Sequence, residues 1–431
     1  MHKLFLFLSC LVILFFFGCS KHVQEEIVII PAISSINIID RNGFSETVSN
    51  PDRLQQYEGV DFLSNLPYEK VLRVYKRNQK GDIRAYVTSY HPNGQPRQYL
   101  EVLNNRAQGT YKEWHPNGAL KLTGTVIGGE ADITVAAEET WLFEGSCQVW
   151  NDSGALIADI FYKGGVLEGP SVYYHANGNI WKQTNYHQNK LIGDHLIYLE
   201  NGQLLQTTHY VANEKEGPAF RYWSGEKIAS NEVYQAGKLF TGRYYNACGE
   251  LIAQVDEGAG YRAIFGHDSL CELQQYQEGE QAGEVKVFNP RGELESKYSI
   301  KNTLKNGEEV VYYPQLNSKS LLKPYISINW VGGAIQGLVK SWYLNGMQES
   351  QREMSENKKN GTLTAWYQDG SVMMIEEYDH DKLVQGRYFM IGENVPVSEV
   401  RAGKGVATIY DSEGHFLRKI NYANHKPVEI G

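Results

Sequence analysis

Short stretches in which apolar and polar residues alternate recur along most of the chain, and each ends in a cluster of turn-forming residues. Residues 110–114 have the sequence TYKEW and are followed by HPNG at 115–118. Alternation of β-favouring side chains predicts a short strand, and the Pro-Asn-Gly order predicts a tight turn with a positive φ at the glycine. A return strand then leads to a second turn, such as HQNK at 187–190. The pattern therefore predicts a β-hairpin.

Glycines mark the period of this pattern. Gly145, Gly169, Gly193 and Gly217 are 24 residues apart. A fixed period of this length indicates a repeat array. With the first glycine of each unit taken as its anchor, the chain contains fourteen units. The anchors are Ala85, Gly109, Gly145, Gly169, Gly193, Gly217, Gly242, Gly260, Gly283, Gly307, Gly337, Gly361, Gly386 and Gly405.

An aromatic residue stands five positions after the anchor in twelve of the fourteen units. Alternate residues of a strand face the same side, so these rings are predicted to form a ladder along one face of the sheet. Two roles remain open for the ladder: packing between hairpins, or an exposed stripe that binds a partner. The candidate site residues on this basis are Tyr90, Trp114, Trp150, Tyr174, Tyr198, Tyr222, Trp342 and Trp366.

A single hairpin is marginally stable in water, so the units must stack on one another. The predicted fold is all-β, an elongated antiparallel array of stacked β-hairpin repeats of about 24 residues over 85–431. Two insertions interrupt the period, one between Gly118 and Gly145 and one between Tyr313 and Trp330. Extra residues in a repeat array usually form loops on one face, often the binding face.

Two longer segments also repeat. KLFTGRY at 238–244 matches KLVQGRY at 382–388, and each leads to a V-x-x-G-x-G stretch, at 255–260 and 400–405. The array is therefore predicted to contain two blocks that end alike. The paired glycines coincide with repeat anchors and lack the third glycine of a dinucleotide-binding loop, so no nucleotide site is predicted there.

The units resemble the MORN repeat in its bacterial variant form, in which a glycine is followed by an aromatic residue and a second glycine. The match is clearest at 109–120, 169–180, 193–204 and 361–372. Bacterial chains of this type are grouped as YwqK-type antitoxin-like proteins, a resemblance that implies a partner toxin. MORN repeats elsewhere are linked to membranes, phosphoinositides and scaffolding. The resemblance implies a MORN-like binding or scaffolding array and does not identify the partner.

The first nineteen residues have the features of a secretory signal. Lys3 precedes a largely apolar run over 4–17, which is shorter than the roughly 20 residues of a transmembrane helix. Gly18 and Cys19 after this run resemble a lipobox, which implies lipidation of Cys19, although Phe16 and Phe17 depart from that motif. Ordinary cleavage or an uncleaved anchor are the alternatives. We predict a signal at 1–19, a tether and N-terminal cap at 20–84, and the array at 85–431.

The lipobox resemblance also predicts the location. Ser20 follows Cys19 where an Asp would mark retention at the inner membrane. The expected place is therefore the bacterial cell envelope, lipid-anchored at the outer membrane. A secreted or periplasmic protein is the alternative.

Charge and cysteine content narrow the function further. The chain has 41 basic and 50 acidic residues, a net charge of −9, and the signs are interspersed. This balance argues against nucleic acid and against strong attraction to anionic lipid. Cys147, Cys248 and Cys271 include no Cys-x-x-Cys pair, so no zinc site is predicted. Cys147 is expected to be buried in a strand, and a Cys248–Cys271 disulfide is left open.

No constellation for catalysis is evident. His91, His115 and His175 occupy the same turn position in different units, which favours a structural role in the turn. Glu308 and Glu309 are adjacent in a predicted strand, so their side chains point to opposite faces. The sequence therefore predicts a non-enzyme without catalytic residues, metal or cofactor.

The preferred function is a membrane-tethered envelope scaffold, attached by its N-terminal lipid, that binds a protein partner of unknown identity. An antitoxin-like inhibitor of a toxin is one alternative. A surface that binds lipid or glycan through exposed aromatic rings is another.

Overall fold

A computed structural model of the protein describes residues 33–65, 69–315 and 321–428. The predicted signal and Cys19 lie outside the described residues. Within them the chain is almost entirely β-structure, arranged as one long open antiparallel sheet of stacked hairpins. The predicted fold class is confirmed.

The strands follow one another with short connections. The first three are β1 (Ile33–Asp40), β2 (Ser45–Val48) and β3 (Glu69–Arg77). The next eleven are β4 (Ile83–Tyr90), β5 (Pro96–Leu103), β6 (Arg106–Trp114), β7 (Leu120–Val126), β8 (Phe143–Trp150), β9 (Leu156–Lys163), β10 (Val166–Tyr174), β11 (Ile180–His187), β12 (Lys190–Tyr198), β13 (Leu204–Val211) and β14 (Glu214–Tyr222). Then come β15 (Ile228–Gln235), β16 (Lys238–Tyr245), β17 (Leu251–Asp256), β18 (Ala259–Phe265), β19 (Leu270–Gln277), β20 (Glu280–Phe288), β21 (Leu294–Lys301), β22 (Leu304–Lys305) and β23 (Gly307–Tyr312). The remaining strands are β24 (Pro324–Val331), β25 (Ala334–Trp342), β26 (Gln348–Ser355), β27 (Lys358–Trp366), β28 (Val372–Asp379), β29 (Lys382–Phe389), β30 (Pro396–Arg401), β31 (Lys404–Tyr410), β32 (Phe416–Ala423) and β33 (Lys426–Val428).

In the described residues, helical structure is limited to short turns. They are α1 (Pro51–Leu54), a 3₁₀ turn (Gln55–Tyr57) and α2 (Val135–Glu138). None of the helices in the described ranges has the length and apolar character needed to cross a membrane.

Apart from the pairs β1–β3 and β21–β23, the sheet is a meander in which neighbouring strands are neighbours in sequence. From β3 to β21, each strand pairs antiparallel with the next. The chain continues through β22 and β23, which both pair with β21, and then strand by strand to β33. At the other end β1 pairs with both β2 and β3. Local hairpin pairing thus builds the whole sheet.

Both turns of the repeat have the geometry that the sequence predicts. Gly118 has φ of 84°, and its N–H donates to the His115 carbonyl at 2.9 Å. In the second turn Gln188 and Asn189 have φ of 47° and 63°, the pattern of a type I′ hairpin turn. The Asn189 Oδ1 also accepts a bond from the Leu167 N–H of the preceding hairpin, at 2.7 Å. The second turn therefore fixes its own hairpin and attaches it to the one before.

The most deeply buried line of the sheet lies two residues after the anchors. Twelve of these fourteen positions are buried, and all fourteen lie within the described ranges. In ten of the fourteen units this position faces the residue fifteen after the anchor on the return strand, as Ser171 faces Thr184 and Ala219 faces Glu232. The buried members are Val87, Tyr111, Cys147, Ser171, Ala219, Tyr244, Val285, Glu309, Val339, Leu363, Tyr388 and Ala407.

Two places where a unit is shortened bring three successive second turns together. At the first, the Gly258 N–H donates to the Phe240 carbonyl at 2.8 Å, and the Gly279 N–H donates to the Gly258 carbonyl at 3.0 Å. The Leu239 N–H in turn donates to the Gly279 carbonyl at 3.2 Å, so the three turns form a closed cycle of hydrogen bonds.

The second place repeats this arrangement near the end of the sheet. The Gly403 N–H donates to the Val384 carbonyl at 2.9 Å, and the His425 N–H donates to Gly403 at 3.0 Å. The His425 Nδ1 lies 2.9 Å from the Leu383 carbonyl oxygen, which completes the equivalent cycle of contacts. The prediction of two blocks that end alike is confirmed.

The residues before the array form a small core against its first hairpin. Ile36, Leu54, Leu72 and Val74 are buried together with Tyr90 of β4. The domain boundaries at 19 and 84 remain a prediction.

Candidate binding surface

The first turns of neighbouring units are joined by side chains. His91, His115 and His175 each place Nε2 against the backbone carbonyl of the aromatic residue that ends the equivalent strand of the next unit. The three pairs are His91 with Trp114 at 2.8 Å, His115 with Trp150 at 3.0 Å, and His175 with Tyr198 at 3.0 Å. The predicted turn role of these histidines is confirmed. Their side chains also link each turn to the next unit.

In later units a tyrosine takes over this task. The Tyr313 hydroxyl donates to the Trp342 carbonyl at 2.8 Å, and the Tyr343 hydroxyl donates to Trp366 at 2.7 Å. The aromatic residue at the end of the strand therefore provides the backbone carbonyl that accepts a hydrogen bond from the preceding unit.

Replacing His115 with asparagine tests this link. Asn151 already occupies the equivalent turn position in the next unit, where its Oδ1 accepts from the Ala155 N–H at 2.9 Å. The turn should therefore survive, whereas the bond to Trp150 is lost, at a cost of about 0.5–1.5 kcal/mol. We expect faster amide hydrogen exchange in the turn after β8. His267→Asn, at an exposed loop position, is the control, and equal effects of the two changes would contradict the link.

Each of the eight candidate aromatic residues is the last residue of its strand. Tyr90 is buried, with 4% of its surface exposed, and its hydroxyl donates to the Phe62 carbonyl at 2.7 Å. The other seven are partly buried. Whether the series serves packing or binding remains a prediction.

The first insertion folds back over the first hairpins and forms a cleft of about 860 Å³. Its α2 is capped by Thr134, whose hydroxyl accepts from the Ala137 N–H at 3.3 Å. The cleft brings together Tyr90 and Trp114 of the candidate series, with His91 and His115 beside them. The other six candidate residues do not line it.

Buried and charged contacts hold the inserted segment in place. Trp141 is 6% exposed, lies edge-on to the Tyr111 ring at 4.6 Å, and donates from Nε1 to the Glu130 carbonyl at 2.9 Å. Arg73 of β3 pairs with Asp132 of the insertion at 2.9 Å. One wall of the cleft is thus fixed to the sheet.

The charge of the cleft is opposite to that of the whole protein. Five basic and three acidic side chains line it, a difference of +2, whereas the chain carries −9. The basic residues are Arg41, Lys70, Arg73, Arg97 and Lys121, and the acidic ones are Glu113, Asp132 and Glu138.

Some of these charged groups are already engaged within the protein. Lys121 pairs with Glu113 at 2.7 Å, and Arg41 donates to the His91 carbonyl. Burial, together with the bond to Glu113, raises the pKa of the neighbouring Tyr111, which stays a neutral donor. Lys70 and Arg97 are exposed, and in the part of the chain that the structure describes neither forms an ion pair. These two are the charges available to a partner.

The basic character of the cleft was missed in the sequence because its residues come from separate elements. Arg41 follows β1, Lys70 and Arg73 lie in β3, Arg97 in β5 and Lys121 in β7. No two of them form a run of positive charge. The sequence feature that pointed to this region was the insertion between Gly118 and Gly145.

The cysteines of the described segments are free thiols. Cys147 is buried as predicted, and burial raises the pKa of its thiol to about 11. Cys248 and Cys271 are not joined, so the disulfide left open is not formed in this structure. No group of three or more His, Cys, Asp or Glu in the described residues is arranged to hold a metal ion.

Comparison with known proteins supports a MORN-repeat family. The family model described as the MORN repeat variant matches residues 107–126 and 167–188. These matches cover the hairpins β6–β7 and β10–β11. A search of curated proteins found no match.

Among solved structures, the chain is similar to a porin-like protein from Bacteroides uniformis ATCC 8492. The identity is 10%, and the match covers 61% of this chain and 96% of that one, with a TM-score of 0.14. A similarity at this score carries no argument about fold or function.

Proposed function

We propose that this protein is a non-catalytic envelope scaffold, tethered through a lipid on Cys19, which binds a protein partner in the cleft beneath the inserted segment. The observation that carries this proposal is the basic cleft at the N-terminal end of an otherwise acidic array. The repeat family and the long open sheet support the scaffold part of the proposal.

The position of the cleft suits a tethered protein. Ile33 is 14 residues after Cys19, a length of chain that spans at most about 50 Å. Strand β1 then leads directly to Arg41 at the cleft. A lipid on Cys19 would therefore keep this end of the array close to the membrane and leave the rest of the sheet free.

The lining indicates the chemistry of the partner. Lys70 and Arg97 offer two exposed cations, and Trp114 offers an aromatic surface in the same cleft. Charge complementarity favours a segment with acidic residues, and a buried aromatic contact supplies most of the binding energy at such interfaces. The expected partner segment is acidic with at least one apolar side chain.

Charge reversal in the cleft tests the proposal. Full-length protein is crosslinked in cells of the source organism, beside a Cys19→Ala form and a Lys70→Glu/Arg97→Glu form. We expect one envelope partner that is lost from both variants, because one removes the tether and the other repels an acidic segment. Lys190→Glu/Lys358→Glu, at two exposed lysines far from the cleft, is the control for charge alone. Retention of the partner by the cleft variant, or its loss from the control, would contradict the proposal.

The same experiment separates the inhibitor alternative. An antitoxin-like protein should capture a protein that is toxic when expressed alone, and co-expression with this chain should restore growth. A cytoplasmic partner that is independent of Cys19 would favour that alternative over the tethered scaffold.

A further inference from the structure

A second cleft, distant in sequence from the inserted segment, lies where the first shortened unit bends the sheet. It has a volume of about 820 Å³ and is bounded by strands β13–β15 on one side and by the turns after β19 and β21 on the other. Cavities of this size are typical of small-ligand sites when they combine aromatic surface with a few placed polar groups.

Two tyrosines and one lysine define its floor, and a third tyrosine lines the opposite wall. Tyr210 and Lys215 face each other across β13 and β14, and the Lys215 Nζ lies 4.7 Å from the centre of the Tyr234 ring. Tyr276 lines the opposite wall, and its hydroxyl accepts from Arg262 at 3.3 Å.

The charge of Lys215 is only partly compensated within the protein. The nearest buried carboxylate, Glu232, is already occupied by the hydroxyls of Tyr234 and Tyr244 and by Arg262, all at 2.7–2.8 Å. Among the described residues no carboxylate lies within ion-pair distance of Lys215. Burial and the charge of Arg262 lower the pKa of Lys215 even though Glu232 opposes this.

The rim restricts the charge of a ligand. Glu214, Glu278 and Glu280 line the entrance and are exposed, and of these Glu280 pairs with Lys238 at 3.0 Å. Carboxylates at the rim repel a polyanion such as a polyphosphate or a nucleic acid, but they accept hydrogen bonds from hydroxyl groups. The cleft therefore suits a ligand with many hydroxyls and a single negative charge.

We propose that this cleft binds a short acidic oligosaccharide, a saccharide that carries one uronate-type carboxylate. Sugar rings have apolar C–H faces that pack on the tyrosine rings and hydroxyl edges that bond to rim carboxylates and to amides such as Asn302. The Lys215 ammonium would bond the single carboxylate in a partly water-excluded site, where charge-assisted bonds are strong. This site is independent of the partner cleft at the first insertion.

The chain supplies a matched control for Lys215. In the second block the Lys359 Nζ lies 4.5 Å from the centre of the Tyr378 ring, which is the same arrangement. The far wall of this cleft is only partly repeated there: residues 424 and 425 match the turn after β19, but within the described residues the turn after β21 has no counterpart. Lys359 thus shares the local contact without the cleft.

The test uses the full-length protein in calorimetric titration and saturation-transfer NMR. The probes are a xylose disaccharide bearing one glucuronate, the same disaccharide without it, and a triglutamate peptide. We expect the glucuronate form to bind about tenfold more tightly than the neutral one. Lys215→Met should abolish that preference, and Lys359→Met should leave it unchanged.

Three results would overturn the proposal. They are no binding of either saccharide, a preference that persists in Lys215→Met, and triglutamate binding as tightly as the glucuronate form, which would mean recognition of charge alone. If Lys215→Met does not fold, Lys215→Gln keeps a neutral polar side chain and serves in its place. Tyr210→Leu is a further check and should weaken both saccharides alike.

Discussion

Replacing Arg262 with methionine is expected to destabilise the protein by about 3–5 kcal/mol, because it leaves Glu232 buried without its cation. The Arg262 Nε lies 2.7 Å from the Glu232 Oε1, and the Glu232 side chain is 9% exposed. The remaining bonds from Tyr234 and Tyr244 do not balance a buried charge. The loss should appear in denaturant unfolding and, since repeat arrays lose stability locally, in hydrogen exchange of β15 and β18.

The second block provides the comparison. Glu376 occupies the place of Glu232 and accepts from the hydroxyls of Tyr378 and Tyr388 at 2.9 and 2.7 Å. The place of Arg262 is taken by Ala407, so among the described residues Glu376 has no arginine partner. Glu376→Gln should therefore cost much less than Arg262→Met. The double variant Glu232→Gln/Arg262→Met should recover most of the loss. A double variant as unstable as Arg262→Met would disprove the buried-pair explanation.

The same pair predicts how stability depends on pH. Burial alone would raise the pKa of Glu232, but Arg262 and the tyrosine hydroxyls outweigh it, so its pKa in the folded state is lowered. The stabilisation is therefore present above the unfolded pKa of about 4.3 and is lost as pH falls through the lower folded value. In Arg262→Met the stability of the first block should no longer fall in this way at low pH. Denaturant unfolding measured at a series of acidic pH values would detect the difference.

Local features of this fold were predictable from local sequence. The turns at Gly118 and Asn189 follow from residue types that accept positive φ, and the 24-residue spacing places Trp114 and Tyr90 at strand ends. The two blocks were evident from the matching segments at 238–244 and 382–388. These features depend on a few neighbouring residues.

The buried line and the clefts were not predictable in the same way. The line two residues after the anchors includes Ser171, Ala219 and Tyr244, so no single residue type occupies it throughout and marks it in the sequence. The contact between Glu232 and Arg262 joins different units, and it arises because one unit is shortened and the sheet bends. Such contacts depend on sheet curvature, which hairpin periodicity does not specify.

Replacing Gly260 with alanine tests the bend itself and is expected to cost about 2–6 kcal/mol. Gly260 has φ of 136°, and an added Cβ would lie 2.2 Å from the Gln254 carbonyl oxygen and 3.0 Å from the Val255 Cα. Backbone strain at such φ costs about 1–3 kcal/mol, and overpacking adds about 1–3 kcal/mol, because both obstructing atoms are backbone and cannot rotate away. Stability is measured by denaturant unfolding, with hydrogen exchange to locate the loss.

Two other glycines separate strain from crowding in this prediction. Gly193 has φ of 66° with nothing within 4 Å of an added Cβ, so Gly193→Ala should cost only the backbone term, about 1–2 kcal/mol. Gly405, the counterpart of Gly260 in the second block, has φ of 145° and would place its Cβ 2.2 Å from the Glu399 carbonyl oxygen. Gly405→Ala should therefore match Gly260→Ala in size, with exchange increased around 383–425 instead of 239–279. If Gly260→Ala cost no more than Gly193→Ala, the close backbone approach at the bend would not be what requires glycine there.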